Sequence, residues 1–196
     1  MYVANGERMQ RIVERWLRVG PGARVLDWGC GPGRVAQFWP RDVRVTGIDI
    51  NPETLGWARE NFPWIRFSRC GLRPPTELEE SSFDFVYGFS VITHLYPETV
   101  KLWSAELHRL LAPGGAAALT FHGDAYYEKF TRDRDDVTVY ETGYGVVGRG
   151  VEGSNQFGSF HHVDALMALL PGFTLLEHLR RTELCGNQDA VILRRA

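Results

Sequence analysis

Three alternating glycines preceded by an acid form the most distinctive chemical pattern in the sequence. Asp27 is followed by glycines at positions 29, 31 and 33, directly after a short predicted strand. Glycine lets the backbone pass close to a ligand, because no Cβ stands in the way. Open α/β sheets bind ligands at the carboxyl ends of their strands. A tight strand-to-helix turn accounts for one or two of these glycines but not for three, so the pattern predicts a nucleotide-like ligand.

The spacing of the glycines distinguishes between two kinds of cofactor. The dinucleotide-binding pattern is G-x-G-x-x-G, which opens a helix whose N-terminus holds a pyrophosphate. Here Gly33 comes one residue early, and Arg34 stands in its place. The pattern D-x-G-C-G-x-G resembles instead the first motif of class I methyltransferases, which use S-adenosylmethionine (SAM). A nicotinamide-dependent oxidoreductase on a similar fold is an alternative, although the sequence has no Tyr-x-x-x-Lys pair.

The resemblance to class I methyltransferases extends, in order and spacing, over most of residues 24–121. It includes Asp49, the acid that ends the second predicted strand, and the fourth strand at 82–87. It continues through the turn at 90–95 and through residues 106–115. Four motifs in register are far more specific than one. The resemblance therefore implies the fold and the cofactor of that class.

The resemblance also implies which residues hold SAM and its product S-adenosylhomocysteine. Asp27 is expected at the methionine end of the cofactor, and Asp49 at the two ribose hydroxyls, because a carboxylate accepts a hydrogen bond from each. Capping of the helix that follows is an alternative role for Asp49. Where the family often has an acid near adenine, this chain has Cys70-Gly71-Leu72, so adenine is expected to meet the backbone there. The predicted cofactor-binding residues are Asp27, Gly29, Cys30, Gly31, Asp49, Ile50, Gly71, Leu72, Phe89 and Ser90.

The acceptor of the methyl group is predicted to be a small molecule that presents an oxygen nucleophile. The turn at 90–95 and residues 187–193 resemble bacterial small-molecule methyltransferases. The fourth strand is not followed by the Asn/Asp-Pro-Pro-aromatic motif of enzymes that methylate amino groups of bases. A net charge of -2 also disfavours nucleic acid as a partner. The competing hypotheses are a protein or nucleic-acid substrate and a SAM-binding module without catalysis.

Methyl transfer to a hydroxyl needs a base, and histidines are the best available residues. His122 follows the fifth predicted strand at the ligand edge of the sheet, and His94 follows the fourth. A general base typically adds about 10²–10⁴ in rate. His122 is the first choice, since His94 lies in a Thr-His-Leu turn that is more often structural. No ligand spacing indicates a metal site.

The elements that position these residues alternate between strand and helix. This pattern predicts an α/β, doubly wound fold with a mostly parallel seven-stranded sheet, a C-terminal antiparallel hairpin and helices on both faces. Helices are expected after Asn5, from Arg34, from Asn51-Pro52 and from Pro97. The predicted strands are 24–28, 43–48, 65–67, 83–87 and 116–121, and the hairpin is 173–179 with 188–193.

The 196 residues are expected to form one domain, with residues 123–161 as a substrate-covering insertion. That segment is rich in glycine and aromatic residues, and within it residues 124–135 are expected to be helical. Long irregular segments in compact domains are usually functional or disordered. Three scattered cysteines, the lack of a signal-peptide core and the lack of a membrane-spanning stretch predict a cytoplasmic protein that does not insert into membranes. The sequence does not indicate the oligomeric state.

Overall fold

The structure, a computed structural model, describes residues 2–131, 134–148, 150–182, 185–186 and 188–196. Among the described residues, no helix has both the length and the apolar character needed to cross a membrane. The helices and strands follow one another as α1 (Tyr2–Leu17), β1 (Arg24–Trp28), β2 (Arg44–Asp49), α2 (Pro52–Asn61), β3 (Arg66–Arg69), β4 (Phe83–Gly88), α3 (Pro97–Leu110), β5 (Leu111–Phe121), α4 (Asp124–Thr131), β6 (Val137–Tyr140), β7 (Tyr144–Val147), β8 (Gly158–His161), α5 (Val163–Ala168), β9 (Phe173–Leu179) and β10 (Asp189–Arg195).

The main sheet has seven strands in the order β3-β2-β1-β4-β5-β10-β9. The first five strands run parallel, and β10 runs antiparallel to both β5 and β9. The connection from β9 to β10 is too short for a crossover helix, which is why the last two strands form a hairpin. The predicted doubly wound sheet with a C-terminal antiparallel hairpin is confirmed.

The sheet is covered on both faces because its side chains alternate between the two sides. Leu26 packs in one core with Trp103 of α3 and Leu166 of α5. Its neighbour Val25 packs in the other core, with Met9 of α1 and residues of α2. Helices on both faces are therefore confirmed, and the edge at the carboxyl ends of β1 to β4 is left for a site.

Three elements differ from the sequence-based expectations by more than two residues. The helix predicted from Arg34 is only a 3₁₀ turn at Ala36–Phe38, because Pro40 forces Trp39 into an extended conformation. Helix α1 begins at Tyr2, so Asn5 lies inside it rather than at its cap. Strand β5 begins at Leu111 rather than at residue 116, and its pairing with β4 shifts register after Phe83.

The segment 123–161, predicted as a substrate-covering insertion, has regular structure beyond the helix expected at 124–135. Helix α4 is followed by an antiparallel sheet in the order β6-β7-β8. A parallel bridge from His122 to Phe160 joins the end of β5 to β8, and the amide of His161 donates to the carbonyl of His122 at 2.9 Å. The small sheet is thus anchored beside the ligand edge of the main sheet. Its role as a substrate cover stays a prediction.

Candidate active site

A cavity of about 510 Å³ lies at the carboxyl ends of β1 to β4, and we call it the glycine-loop cavity. Ligand sites of small molecules have volumes of roughly 300–1,000 Å³. Eight of the ten residues predicted to bind the cofactor line it: Gly29, Gly31, Asp49, Ile50, Gly71, Leu72, Phe89 and Ser90. Residues that follow four neighbouring strands are therefore brought together as the motif pattern predicts.

The glycine loop is held by the end of β2. The amides of Gly29 and Cys30 both donate to the carbonyl of Ile48, at 2.8 and 3.0 Å. Gly29 has φ +74° and Gly31 has φ +52°, a region that side chains other than glycine rarely adopt. A Cβ on Gly29 would stand 2.4 Å from a methyl carbon of Val91, whereas a Cβ on Gly31 would meet no heavy atom within 4 Å. Gly31 therefore presents bare backbone to open space in the cavity.

Asp49 connects the glycine loop to α2. Its Oδ2 accepts a hydrogen bond from the amide of Gly31 at 2.8 Å, and its Oδ1 accepts one from the amide of Asn51 at 2.8 Å. Asn51 caps α2 by accepting from two amides of the first turn, so the alternative role of Asp49 as that cap is wrong. Each carboxylate oxygen has a second lone pair. The geometry fits a ligand that donates two hydrogen bonds, such as a ribose diol.

Asp27 and Cys30 are not among the residues that line this cavity. The Asp27 carboxylate is buried and accepts a hydrogen bond from the Tyr87 hydroxyl at 2.7 Å, while the indole of Trp39 donates to the Tyr87 oxygen at 3.2 Å. Burial, with a smaller contribution from the charge of Asp49, raises the pKa of Asp27 to about 7, although the hydrogen bond from Tyr87 acts in the opposite direction. The expected contact of Asp27 with the cofactor stays a prediction. Burial also raises the pKa of the Cys30 thiol and keeps it protonated.

A second cavity, of about 320 Å³, adjoins the first, and we call it the histidine cavity. Both predicted catalytic residues, His94 and His122, line it. Ser90, His94 and Asn155 line both cavities. A group held by Ser90, His94 or Asn155 can therefore face ligands on either side, as transfer between two bound molecules requires. The other residues that line the histidine cavity are Thr93, Tyr126, Arg134, Val147, Gly148, Gln156, Phe157, Gly158 and Gln188.

Ser90 is placed between the cavities by hydrogen bonds that overcome its backbone strain. It has φ +57°, which is costly for a residue with a Cβ. Its amide donates to Thr120 Oγ1 at 2.8 Å, and the Thr120 hydroxyl donates to Gln188 Oε1 at 2.7 Å. Because Gln188 Oε1 takes that proton, the amide nitrogen of Gln188 faces Ser90 Oγ at 3.0 Å and His122 Nε2 at 3.3 Å.

Both ring nitrogens of His122 are already hydrogen-bonded, so neither has a lone pair free to take a proton from the methyl acceptor. Its Nδ1 lies 3.0 Å from the carbonyl of Ser159, which can only accept, so Nδ1 carries the proton. Its Nε2 is then the acceptor of the Gln188 amide. Burial lowers the pKa of His122 to about 4, and the ring stacks on Tyr126 with centroids 3.6 Å apart. His122 is therefore neutral and fully hydrogen-bonded near pH 7.

His94 has a different arrangement. Its Nδ1 lies 2.8 Å from the carbonyl of Phe157 and donates to it, so in the neutral ring Nε2 carries the lone pair. This Nε2 makes no hydrogen bond to any residue that the structure describes. Since His94 lines both cavities, it is better placed than His122 to receive a proton.

The segment between β7 and β8 contributes residues that the motifs did not indicate. Gly153, Ser154 and Asn155 line the glycine-loop cavity. The amide of Gly153 donates to the carbonyl of His94 at 2.8 Å, and a Cβ there would lie 2.8 Å from a methyl carbon of Leu72. Ser154 Oγ is buried without a hydrogen-bond partner among the described residues. This glycine-rich loop carries no family motif, so the sequence did not indicate that it would line the cofactor cavity.

The two tryptophans of the cavity wall are further site residues that the motifs do not indicate. The bulk of Trp28 favours a core position, and the residue is indeed only 3% exposed. Its ring packs on Trp103 with centroids 5.0 Å apart, and both residues line the glycine-loop cavity. The Trp103 indole donates to the carbonyl of Leu72 at 2.9 Å. Trp28 and Trp103 thus fix the loop after β3, against which adenine is expected to lie.

Comparison with known proteins supports the interpretation of these motifs. A family model described as a methyltransferase domain matches residues 25–115. An uncharacterized methyltransferase of Synechocystis is 30% identical over 118 residues, which cover 60% of this chain and 55% of that protein. The ribosomal protein L11 methyltransferase of Burkholderia mallei is 35% identical over 115 residues, which cover 56% of this chain and 36% of that protein. The chain thus spans about half or less of these curated relatives.

Solved structures show the same fold. A SAM-dependent methyltransferase of Methanosarcina mazei matches with a TM-score of 0.71 and 20% sequence identity. The match covers 94% of this chain and 96% of that protein. At this identity the likeness concerns the fold, and it extends over nearly the whole length of both chains.

Proposed function

We propose that this chain is a class I SAM-dependent methyltransferase and that it transfers a methyl group to a hydroxyl of a small molecule. The observation that carries the proposal is the pair of adjoining cavities, joined at Ser90, His94 and Asn155. The glycine-loop cavity is assigned to the cofactor and the histidine cavity to the acceptor.

Residues already fixed by the fold would hold the cofactor. Asp49 keeps lone pairs for the ribose hydroxyls while the amides of Gly31 and Asn51 hold its carboxylate in place. Gly31 offers close approach to its backbone, and Ser154 Oγ offers a hydrogen-bonding group that has no partner among the described residues. When bound, SAM supplies a methyl group on a sulfonium, which a nucleophile displaces in line.

The acceptor hydroxyl would lose its proton to His94. The Nε2 lone pair faces no competing donor among the described residues, and the hydrogen bond to Phe157 fixes the ring tautomer. His122 would serve as a rigid wall, because Gln188 and Ser159 take both of its ring nitrogens. Holding two reactants in line contributes roughly 7–11 kcal/mol to such a reaction, more than the base does.

The size and setting of the histidine cavity favour a small acceptor. Its volume of about 320 Å³ suits a molecule of limited size, and the segment between β7 and β8 forms one of its walls. Arg134 and Gln188 add polar groups to the lining, which suits an acceptor with several oxygens. A protein acceptor, as the name of the Burkholderia relative states for that enzyme, would have to insert a side chain past this wall.

Two measurements test the proposal in turn. Thermal unfolding with SAM, S-adenosylhomocysteine and NAD should show stabilisation by the two sulfur ligands only, by about 2.7 kcal/mol at a hundredfold excess over Kd. A response to NAD alone would contradict the cofactor assignment. The protein should then be incubated with a cell extract and with SAM that carries a radiolabelled methyl group. After the extract is separated by mass, the label should be in the low-mass fraction. Label in the protein fraction alone would overturn the small-molecule acceptor.

A further inference from the structure

A third cavity, of about 780 Å³, lies beside the small sheet, and we call it the tyrosine cavity. It is bounded by the start of α3, the β6–β7 turn, the end of β8 and α5. None of its lining residues lines the glycine-loop cavity or the histidine cavity. The lining residues are Tyr96, Pro97, Glu98, Tyr140, Glu141, Thr142, Tyr144, His161, Ala165, Ala168 and Leu169.

Stacked rings form one wall of this cavity. Tyr140 and Tyr144 lie nearly parallel, with centroids 5.2 Å apart and an interplanar angle of 20°. Tyr144 in turn contacts His161, with centroids 5.1 Å apart. Tyr140 is 45% exposed, so the face of this stack is open to a ligand. Ala165 and Leu169, which also line the cavity, offer an apolar surface.

Buried polar groups without partners lie in the same wall. The hydroxyl of Tyr144 and both ring nitrogens of His161 make no hydrogen bond with the residues that the structure describes. His161 is 1% exposed and Tyr144 7% exposed. Burial lowers the pKa of His161 to about 4, so near pH 7 one ring nitrogen is an unprotonated acceptor. Buried groups of this kind are nearly always satisfied in folded proteins, which indicates that something else supplies the hydrogen bonds.

The charges around the cavity have one sign. Glu98 and Glu141 line it, whereas no lysine or arginine among the described residues does. Glu152 lies close by, because its carboxylate accepts a hydrogen bond from the amide of Tyr96 at 2.7 Å. Burial raises the pKa of Tyr144, and the negative charges of Glu98 and Glu152 raise it further. The field at the stacked rings therefore favours a cation.

We propose that the tyrosine cavity binds a protonated organic amine with an apolar body. The ammonium group would lie over the Tyr140 and Tyr144 rings, whose faces attract cations. Its N–H groups would donate to the unpaired acceptors of Tyr144 and His161, and Glu98 and Glu141 would balance its charge. The apolar body would pack on α5. A protonated amine with an apolar body is the ligand class that meets the rings, the unpaired acceptors and the carboxylates together.

Benzylamine and benzyl alcohol are matched probes for this site, because they differ in charge but hardly in size. Calorimetry on the whole chain near neutral pH should show that benzylamine binds at least tenfold more tightly than benzyl alcohol. Tyr140→Ala and Glu98→Gln should each weaken benzylamine at least fivefold. Val139→Ala is the control, since Val139 is an exposed neighbour on β6 that does not line the cavity. Saturating S-adenosylhomocysteine should leave the benzylamine affinity unchanged, as the cavities share no lining residue.

Three results would overturn the proposal. Equal affinity for the two probes would exclude recognition of charge. If the affinity for benzylamine is unchanged in each of the variants Tyr140→Ala and Glu98→Gln, the amine binds elsewhere. Competition with S-adenosylhomocysteine would assign the amine to the methyl-transfer site instead. Tyr140→Phe, which keeps the stacked ring, should retain binding and thereby separate loss of the ring from loss of the local fold.

Discussion

The substitution Gly31→Ala separates binding of the cofactor from stability of the fold. At φ +52° an alanine costs roughly 1–2 kcal/mol for the left-handed conformation. The smaller entropy of the unfolded chain offsets about 0.4–1 kcal/mol of this, so the net loss of stability should be about 1 kcal/mol. The new methyl group meets no atom within 4 Å and projects into the space assigned to the cofactor. Affinity for S-adenosylhomocysteine should therefore fall at least tenfold, or about 1.4 kcal/mol.

Gly22→Ala is the matched control for this experiment. Gly22 has φ +77°, a Cβ there also meets nothing within 4 Å, and the residue does not line the cavity. Chemical denaturation should show a similar loss of stability in both variants, whereas calorimetry should show weakened binding in Gly31→Ala alone. If Gly31→Ala binds S-adenosylhomocysteine as tightly as the parent chain, the ligand does not approach this backbone and the cofactor assignment is refuted.

Four further substitutions test individual residues of the site. Asp49→Ala should weaken SAM binding at least tenfold, measured by calorimetry, and unchanged affinity would remove Asp49 as the ribose ligand. His94→Ala should lower turnover at least a hundredfold with little change in SAM affinity, because it removes the proposed base. His122→Phe should chiefly change the KM for the acceptor. If steady-state kinetics show the reverse pattern, His122 is the base instead. Asp27→Asn should stabilise the chain relative to the parent on the order of 4 kcal/mol at about pH 8, but little at about pH 4. The reason is that the pKa of Asp27 is raised to about 7 in the folded chain, so ionising this carboxyl between those pH values destabilises the native parent. A pH-independent difference in denaturation would contradict that pKa.

The main sheet was predictable because its strands carry local signals that agree with the fold. The run 24–28 contains the apolar residues Val25, Leu26 and Trp28 and leads directly into the glycine loop, and β1 has those bounds. Asn51 and Pro52 together specify a helix start, and the structure uses both. The helix expected from Arg34 does not form because only six residues separate Gly33 from Pro40. Three of those six are buried in the core and do not form the apolar stripe of a helix.

The small sheet was not predictable, because its strands depend on contacts outside their own sequence. The strands β6, β7 and β8 have four residues each, and their burial does not alternate clearly. Gly145 is the pivotal residue, since a Cβ there would lie 1.8 Å from the Phe160 ring on the partner strand. The local sequence around Gly145 favours a loop, yet this glycine permits close pairing of β7 with β8. Only the tertiary contact with Phe160 shows this.

The choice between the two histidines shows where sequence reasoning about the site must end. His122 and His94 both follow strands of the parallel sheet, and the sequence favours His122 because His94 lies in a Thr-His-Leu turn that is more often structural. What separates them is the use of one nitrogen. Gln188, which is brought beside His122 by the antiparallel pairing of β10 with β5, occupies the lone pair of His122 Nε2. No residue that the structure describes does so for His94. The proposal that His94 is the base therefore rests on Gln188, which lies 66 residues beyond His122 in the chain.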